Sequence, residues 1–507
     1  MSFSPINDLL VWRLKSRLPL IHSFMESPVE IQRAVWNDLL REGSLSSYGK
    51  LHRFDRISSL EAWQNEVPLR EYADLWPWIE KGLNGAQREL WPSDIGWYAK
   101  SSGTTGAKSK FIPVSNESLE MNHLAGGRDL VALYAHANPA IALFEGLSLR
   151  LGGSTKVCEV NANSTYGDLS AIVIQNLPFW AEWRSTPSPE IALLDEWEEK
   201  LERITEQVIH QNVTSLFGVP SWMLILMRKI KEKTGIEHLH ELWPNMELFA
   251  HGAVNFSPYK SAFSALFPHT NYHTWETYNA SEGFFAVQDQ MNDPGMLLLL
   301  RHGIHYEFIP MSQYKGVDSQ TVLLPDVECG ETYALVISTC GGLWRYLVGD
   351  TVRFVSLYPF RVIVAGRTRL FINAFGEELI LDNAETAMAR ACSDAYAEVI
   401  DYTAAPLYMS EGSGAHEWII EFHKAPASME AFVVALDRHL QAVNSDYEAK
   451  RTGNKILRLP VIHSAPAGFF YDWMKDRGKL GGQNKVPRLS NDRIYMDDLL
   501  QRMNRYL

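Results

Sequence analysis

Apolar residues recur at steps of three and four through the segment 191–208, which predicts one long amphipathic helix. The repeating positions are Ile191, Leu194, Trp197, Leu201, Ile204 and Val208. A short β-like run, 213–217, comes next, and a glycine and a proline close it. A second helix is predicted over 221–233, because Gly235 supplies a C-terminal stop.

Two further apolar runs, 246–250 and 272–278, lie on either side of another helical stretch. The alternation of strand and helix is typical of a parallel sheet covered by helices. Ligands of such sheets bind beyond the carboxyl ends of the strands. We therefore expect functional residues in the loops that follow these runs.

Between residues 320 and 365 the pattern changes to short β-branched runs separated by Gly, Pro or Asp. This pattern favours an antiparallel meander or a small barrel. After Gly366 the chain alternates between helical and strand-like segments to its end, so we predict domains at 1–366 and 367–507. The first hundred residues are predicted to be helical, with tryptophans as packing anchors. These are Trp63, Trp76, Trp78, Trp91 and Trp97.

Composition narrows the class of protein. A chain of 507 residues is too long for one compact core, so at least two domains are expected. The formal net charge of −13 argues against a nucleic-acid binder, which needs basic faces to displace phosphate counterions.

Neither the cysteines nor the apolar runs point outside the cell. The four cysteines form no CxxC pair, which fits a reducing compartment better than a disulfide framework or a zinc knuckle. The N-terminal apolar stretch is interrupted by charged residues, and no run approaches the roughly 18 to 20 apolar residues that span a bilayer. A cytoplasmic protein without a membrane partner is therefore expected.

The sharpest local signal is a loop of hydroxyls and glycines after a strand-like segment, 95–99, and before a segment predicted to be helical. It reads Ser101, Ser102, Gly103, Thr104, Thr105, Gly106, Ala107 and Lys108. Backbone N–H groups, hydroxyls and a lysine together can bind phosphate. The spacing is not that of a Walker A loop, because Ala107 separates Gly106 from Lys108.

Three later segments strengthen the nucleotide hypothesis. The first follows the third strand-like run and reads Thr277, Tyr278, Asn279, Ala280, Ser281, Glu282 and Gly283. Its tyrosine can stack on adenine and its carboxylate can hold Mg²⁺. The second ends in Asp350, which follows a predicted glycine turn and can accept both ribose hydroxyls. The third, 481–488, carries Lys485 on a late glycine-flanked loop.

The chain carries the motifs SSGTTGAK, TYNASEG and RYLVGD in that order. This set of motifs resembles that of the Gretchen Hagen 3 family of acyl acid–amido synthetases, within the adenylate-forming superfamily. Further segments look similar to the family, especially its bacterial branch. They are KFIPVS, SLFGVPSW, HGAVNF, NSDYEAKR and QNKVPRLSN. The resemblance covers nearly the whole chain.

The resemblance implies an α/β fold: a large N-terminal domain of helix-covered β-sheets plus a small β-barrel, and a smaller mobile α+β C-terminal domain. It implies ATP-dependent adenylation of a carboxylic acid, followed by amide formation with an amino acid. Ser101, Ser102, Thr104 and Thr105 would line the phosphate loop. Tyr278 and its neighbours would face adenine, Glu282 would hold Mg²⁺, and Asp350 would hold the ribose.

The sequence departs from the plant members in one place. They carry a lysine just after the β-barrel, where this chain reads NAFGEEL from 373 to 379. A glutamate cannot neutralise an α-phosphate, so we predict that Lys485 supplies that charge. Arg128 is expected near the acyl carboxylate, and Arg345 and Arg367 are weaker candidates for phosphate contacts.

Two other functions stay open at this level. An acyl-CoA ligase uses the same acyl-adenylate chemistry, and a nucleotide-binding protein without turnover would keep the same motifs. The histidine pairs 238/240 and 302/305 are expected to point apart, so no paired-histidine metal site is predicted.

Overall fold

The computed structural model describes residues 5–101, 110–152, 157–194, 196–253, 256, 259–268, 272–368, 371–408, 413–454, 456–477 and 486–504. It divides into two compact units, with residues 1–101 and 110–366 in the first and the chain from Arg367 in the second. Within the described residues, no helix is both long enough and apolar enough to cross a bilayer.

Helices dominate the start of the first unit, as the sequence predicts. Its helices are α1 (Pro5–Lys15), α2 (Leu18–Glu26), α3 (Pro28–Gly43), α4 (Ser47–Leu51), α5 (Leu60–Glu66), α6 (Tyr72–Leu83), α7 (Asn116–Ser118), α8 (Leu124–Ala137), α9 (Leu169–Gln175), α10 (Phe179–Trp183), α11 (Pro189–Ala192), α12 (Trp197–Val208), α13 (Pro220–Thr234) and α14 (Lys260–Leu266). Trp63 and Trp91 are fully buried, and both pack against Trp344.

The strands of the first unit are β1 (Trp97–Ser101), β2 (Lys110–Val114), β3 (Leu147–Leu151), β4 (Cys158–Asn161), β5 (Ser164–Gly167), β6 (Ser185–Thr186), β7 (Val213–Gly218), β8 (Leu248–Gly252), β9 (His273–Ala280), β10 (Gly283–Gln288), β11 (Met296–Leu298), β12 (Ile304–Pro310), β13 (Thr332–Thr339), β14 (Tyr346–Leu357) and β15 (Phe360–Arg367). Eleven of them form one sheet in the order β12-β13-β14-β15-β11-β10-β9-β8-β7-β3-β6, and four form a second in the order β2-β1-β5-β4.

The strand–helix alternation produces the parallel half of the large sheet. Strands β3, β7, β8 and β9 pair in parallel, and β6 adds to β3 in the same sense. The segment 332–367 forms an antiparallel meander that continues into this sheet rather than standing apart from it. The predicted α/β class is confirmed.

The single helix predicted over 191–208 is wrong. The chain forms α11 and α12 instead, because Glu196 caps a new helix: its side chain accepts a hydrogen bond from the backbone N–H of Glu199. A capping carboxylate at that position satisfies the free N–H groups of a starting helix and so interrupts the apolar periodicity.

The second unit mixes helices and strands, as predicted. It contains β16 (Phe371–Ile372), β17 (Leu379–Ile380), α15 (Leu381–Ala395), β18 (Glu398–Leu407), β19 (Ala415–Lys424), α16 (Met429–Val443), α17 (Ser445–Arg451), β20 (Val461–Ala465), α18 (Phe469–Asp476) and α19 (Ile494–Met503). Strand β19 lies between β18 and β20, pairing antiparallel with the first and parallel with the second.

Candidate active site

The hydroxyl- and glycine-rich loop joins two antiparallel strands. Ser101, the last residue of β1, lies opposite Lys110, the first residue of β2. The sequence interpretation that a helix follows the loop is therefore wrong, because the apolar residues of 110–114 pair with β1 instead. The remaining candidates of this loop, Ser102, Gly103, Thr104, Thr105 and Lys108, lie outside the described residues.

The TYNASEG motif spans the carboxyl end of β9 and the turn into β10. Tyr278 is 6% exposed, and its ring lies 4.8 Å from that of Phe285. The hydroxyl of Thr277 donates to the carbonyl of His251, which ties β9 to β8. Ala280 pairs with Gly283 across the turn that carries Ser281 and Glu282.

Asn279, in the same motif, is exposed and contacts a buried histidine. Burial lowers the pKa of His123 to about 4, and a hydrogen bond with Asn279 opposes that effect only in part. His123 is therefore neutral over the physiological pH range.

Asp350 follows Gly349 in a bulge of β14, where the sequence suggested a glycine turn. Ala334 pairs with Thr351 while Val336 pairs with Leu347, so β14 carries extra residues against β13. Gly349 permits the bulge because its φ is +95°, a conformation that side-chain-bearing residues rarely adopt. The Asp350 Oδ2 atom accepts a hydrogen bond of 2.8 Å from the Tyr278 hydroxyl.

Glu282 lies close to the strand that follows the hydroxyl- and glycine-rich loop. Burial raises the pKa of the Tyr72 hydroxyl, and the negative charge of Glu282 raises it further. The oxygen of that hydroxyl accepts a 2.7 Å hydrogen bond from the backbone N–H of Phe111 on β2. The carboxylate expected to hold Mg²⁺ therefore acts electrostatically on a tyrosine that contacts β2.

Lys110 connects the strand after the SSGTTGAK loop with the RYLVGD motif, and no sequence pattern singles it out. Its side chain is buried, and its Nζ donates a 3.2 Å hydrogen bond to the Tyr346 hydroxyl. The same ammonium lies 5.6 Å from the ring centroid of Tyr72 and 5.9 Å from that of Tyr346. Cation–π attraction of this kind stabilises a buried positive charge.

Arg128 lies on α8, as predicted. Its Nη2 donates to the carbonyl of Glu120 at 3.0 Å and lies 3.6 Å from the Glu120 carboxylate. Its Nε is buried without a hydrogen-bond partner among the described residues.

Arg345, by contrast, is fully used inside the protein. Its Nε and Nη2 bind the two carboxylate oxygens of Glu307 at 3.0 and 2.9 Å. Its Nη1 donates to the carbonyls of Gln64 and Val67, and Nη2 also donates to Thr321. A phosphate role for Arg345 is therefore excluded by its contacts.

Arg367 is the last residue of β15, at the point where the second unit begins, and forms a two-pronged ion pair with Glu378, at 2.8 and 3.2 Å. The neighbouring Glu377 is fully buried and lies 2.8 Å from Nε2 of His416. Two backbone N–H groups, those of Ala374 and Phe375, also donate to Glu377. Both glutamates of the NAFGEEL segment are thus engaged locally, and Lys485 lies outside the described residues.

The predicted divergence of His238 and His240 is wrong. Their rings stack with centroids 5.5 Å apart, because His238 precedes a 3₁₀ turn in an extended conformation and only His240 lies within it. Among the described residues, no group of three or more His, Cys, Asp or Glu side chains is arranged to hold a metal ion.

The fold is shared with two solved structures. The structure of 2-hydroxyisobutyryl-CoA ligase, solved with 2-HIB-AMP and CoA, matches with a TM-score of 0.54 at 13% identity, over 100% of this chain and 93% of that chain. The AtGH3.15 acyl acid amido synthetase, in complex with 2,4-DB, matches with a TM-score of 0.63 at 17% identity, over 99% and 97%.

Sequence comparison gives the family. The GH3 family N-terminal domain matches residues 17–272, its central domain 297–366 and its C-terminal domain 382–494. The indole-3-acetic acid-amido synthetase GH3.4 of Arabidopsis thaliana is 22% identical over 93% of this chain and 91% of its own length. The chain belongs to the GH3 family, which confirms the family resemblance of its motifs.

Proposed function

We propose that this protein uses ATP to convert a carboxylic acid into its acyl-adenylate and then transfers the acyl group to the amine of an amino acid. The observation that carries the proposal is the Tyr278–Asp350 hydrogen bond, which joins two motifs of the family at the carboxyl edge of the sheet. The named relatives and the matching structures are amido synthetases or ligases.

Within this proposal the first unit binds ATP. The hydroxyls of Ser101, Ser102, Thr104 and Thr105 and the ammonium of Lys108 surround the phosphates. Gly103 allows close backbone approach. Tyr278 and the flanking residues 277–281 face the adenine, and Asp350 accepts the ribose hydroxyls. The hydrogen bond from Tyr278 keeps the Asp350 carboxylate in one orientation for that task.

Glu282 fits a magnesium ligand. Its carboxylate is half-buried in the turn after β9 and close to the strand that follows the phosphate loop. Mg²⁺ commonly uses one or two protein carboxylates together with substrate phosphates and water, so a single glutamate is sufficient. When bound, the ion neutralises the charge that develops on the departing pyrophosphate.

The chemistry explains why these groups are needed. A carboxylate is a poor acylating agent, because its leaving group would be oxide. Attack of the acid's oxygen on the α-phosphorus releases pyrophosphate and makes AMP the leaving group of the second step. Arg128, whose Nε has no hydrogen-bond partner among the described residues, orients the acid's carboxylate for this attack.

The second unit, 367–507, is proposed to be the mobile domain that delivers Lys485 to the α-phosphate. Glu377 and Glu378 are held by His416 and Arg367, so neither the NAFGEEL segment nor Arg367 offers a free cation for this charge. Dependence on ATP is consistent with the cytoplasmic location expected from the sequence.

The test is an incubation with Mg-ATP, a panel of acids and either the twenty amino acids or CoA, with products identified by mass spectrometry. The acids are indole-3-acetate, 2,4-DB, 2-hydroxyisobutyrate, benzoate and hexanoate. An N-acyl amino acid with AMP and pyrophosphate is the expected product. An acyl-CoA product would mean that the acceptor is CoA and not an amino acid. Intact ATP with every acid would favour nucleotide binding without turnover.

A further inference from the structure

Two polar side chains near the nucleotide motifs lack hydrogen-bond partners. Glu276 lies on β9, two residues before Tyr278, and its carboxyl makes no hydrogen bond or ion pair among the described residues. His251 lies on β8 and is 4% exposed, and its Nδ1 has no hydrogen-bond partner there either. Buried polar groups are normally paired, so the unpaired Nδ1 of His251 requires an explanation. Glu276 is half-buried, so a ligand can reach its carboxylate.

The sheet register places these side chains side by side. His251 pairs with Glu276 across two parallel strands, so their Cα atoms are about 4.8 Å apart and both side chains leave the same face. On the other side of His251 the paired residue is Gly218 of β7, which adds no side chain to this face. Tyr278 lies about 7 Å further along β9 on the same face, at the carboxyl edge.

We infer that Glu276 is the general base that takes the proton from the amine of the acceptor, with His251 as a second hydrogen-bonding group for the same nitrogen. The inference rests on the proposed amide-forming function and names its acceptor as a primary amine that arrives as an ammonium. A carboxylate attracts an ammonium, and its position beside Tyr278 brings it close to the adenylate.

The proton and electron balance is complete. The Glu276 carboxylate takes one proton from the ammonium, and the nitrogen lone pair forms the C–N bond at the acyl carbon. The C–O bond to the phosphate then breaks and AMP leaves with the electron pair. The second nitrogen proton passes to solvent as the amide forms, and Glu276 later returns its own proton to solvent.

The local electrostatics suit this role. Burial raises the pKa of Glu276 to about 7, which is near the optimum for a base that works at neutral pH. Burial lowers the pKa of His251 to about 3, so the imidazole is neutral and does not repel an ammonium. From β10, the neutral Gln288 side chain faces Glu276 and accepts a 2.9 Å hydrogen bond from its backbone N–H. No charged side chain among the described residues shifts the pKa of Glu276 further.

The experiment measures the two half-reactions separately in Glu276→Gln. Acid-dependent exchange of pyrophosphate into ATP reports adenylation, and amide formation from the accumulated adenylate reports transfer. The acid and amino acid are the pair with the highest yield in the product panel. We expect the ratio of transfer to exchange to fall about 100- to 10,000-fold, as for loss of a general base.

Hydroxylamine separates base catalysis from a merely structural effect. It is largely unprotonated at pH 7 and needs no base, so Glu276→Gln should still form the hydroxamate at a rate close to that of the wild type. In the wild type, transfer to the amino acid should rise with pH and level off above about 7, where Glu276 is ionised. In the variant, transfer should keep rising without this plateau, because it depends on the fraction of amine that is already unprotonated. His251→Phe should raise the KM for the amino acid more than it lowers kcat.

The matched control is Glu247→Gln. Glu247 is also a carboxyl whose pKa burial raises, but it precedes β8 at the opposite edge and is bound by Asn138 and the Ala142 N–H. Its ratio of transfer to exchange should stay at the wild-type value. A wild-type ratio in Glu276→Gln, or equal losses of exchange and transfer, would overturn the assignment. Absence of exchange in the wild type with every acid would instead overturn the proposed function.

Discussion

The hydroxyl of Tyr278 donates a 2.8 Å hydrogen bond to Oδ2 of Asp350, across 72 residues of sequence. Tyr278 ends the parallel half of the large sheet, and Asp350 lies in a bulge of the meander strand β14. The bond therefore holds the adenine and ribose candidates in one fixed arrangement, and it links the two structural halves of the sheet.

We expect Tyr278→Phe to raise the KM for ATP about tenfold or more in acid-dependent pyrophosphate exchange. The ring remains, but Asp350 loses the donor that orients its carboxylate, and hydrogen bonds to charged groups contribute about 1.5–3 kcal/mol. The control is Tyr306→Phe in the same sheet, whose hydroxyl makes only long contacts of 3.3 and 3.5 Å to carbonyls. An unchanged KM in Tyr278→Phe would show that the bond does not serve ATP.

Lys110→Met tests the connection between the phosphate loop and the RYLVGD motif. Loss of the ammonium removes a hydrogen bond to Tyr346 and a positive charge at the end of the loop. We expect kcat/KM for ATP to fall about 10- to 100-fold, as when one fixed electrostatic donor is removed. Lys81→Met, which removes an exposed ammonium 3.7 Å from Glu89, should leave kcat/KM within twofold. Equal values for the two variants would contradict a role for Lys110.

The sequence was sufficient for the parallel part of the sheet because its pattern is local. The apolar runs of β7, β8 and β9 and the Gly235 stop of α13 are each contained in a short window. The same local pattern failed at 193–196, where the capping side chain of Glu196 starts a new helix within an unbroken apolar period.

Contacts between distant positions could not be predicted from the sequence. Lys110 and Tyr346 are 236 residues apart, and nothing in either segment indicates that they meet. Arg345 is a similar case. In the sequence alone, an arginine beside a nucleotide motif resembles a phosphate ligand, and only the fold shows that it pairs with Glu307. Burial decides between these roles, and burial depends on the complete fold.

Arg345→Met should lower the free energy of unfolding in urea by about 3–5 kcal/mol, because it leaves the buried Glu307 carboxylate without its cation. Burial alone would raise the pKa of Glu307, but the charge and hydrogen bonds of Arg345 outweigh it and lower the pKa. The pair therefore stabilises the protein above the unfolded-state pKa near 4.5, and this contribution is lost as pH falls through the folded-state pKa. Arg41→Ala, in an exposed pair, should leave the free energy of unfolding close to the wild-type value, and a similar loss for both variants would contradict this account.

Glu276→Gln should stabilise the protein in a pH-dependent manner, independently of any activity. Burial raises the folded-state pKa of Glu276 from 4.5 to about 7, so folding disfavours the charged form. The resulting loss of stability is absent below pH 4.5, grows between pH 4.5 and 7, and is complete above pH 7. Glutamine carries no such penalty, so the variant should be more stable than the wild type by about 1–3 kcal/mol at pH 8 and equal to it near pH 4.5.

Urea unfolding at the two pH values measures the difference. Glu247→Gln should give no gain at pH 8, because the amide nitrogen that replaces one carboxylate oxygen cannot accept the hydrogen bond from Asn138 or Ala142 that this oxygen accepts. Equal stability of Glu276→Gln and the wild type at pH 8 would mean that the Glu276 carboxylate is already satisfied in the folded protein, which would also remove the basis for its role as the base.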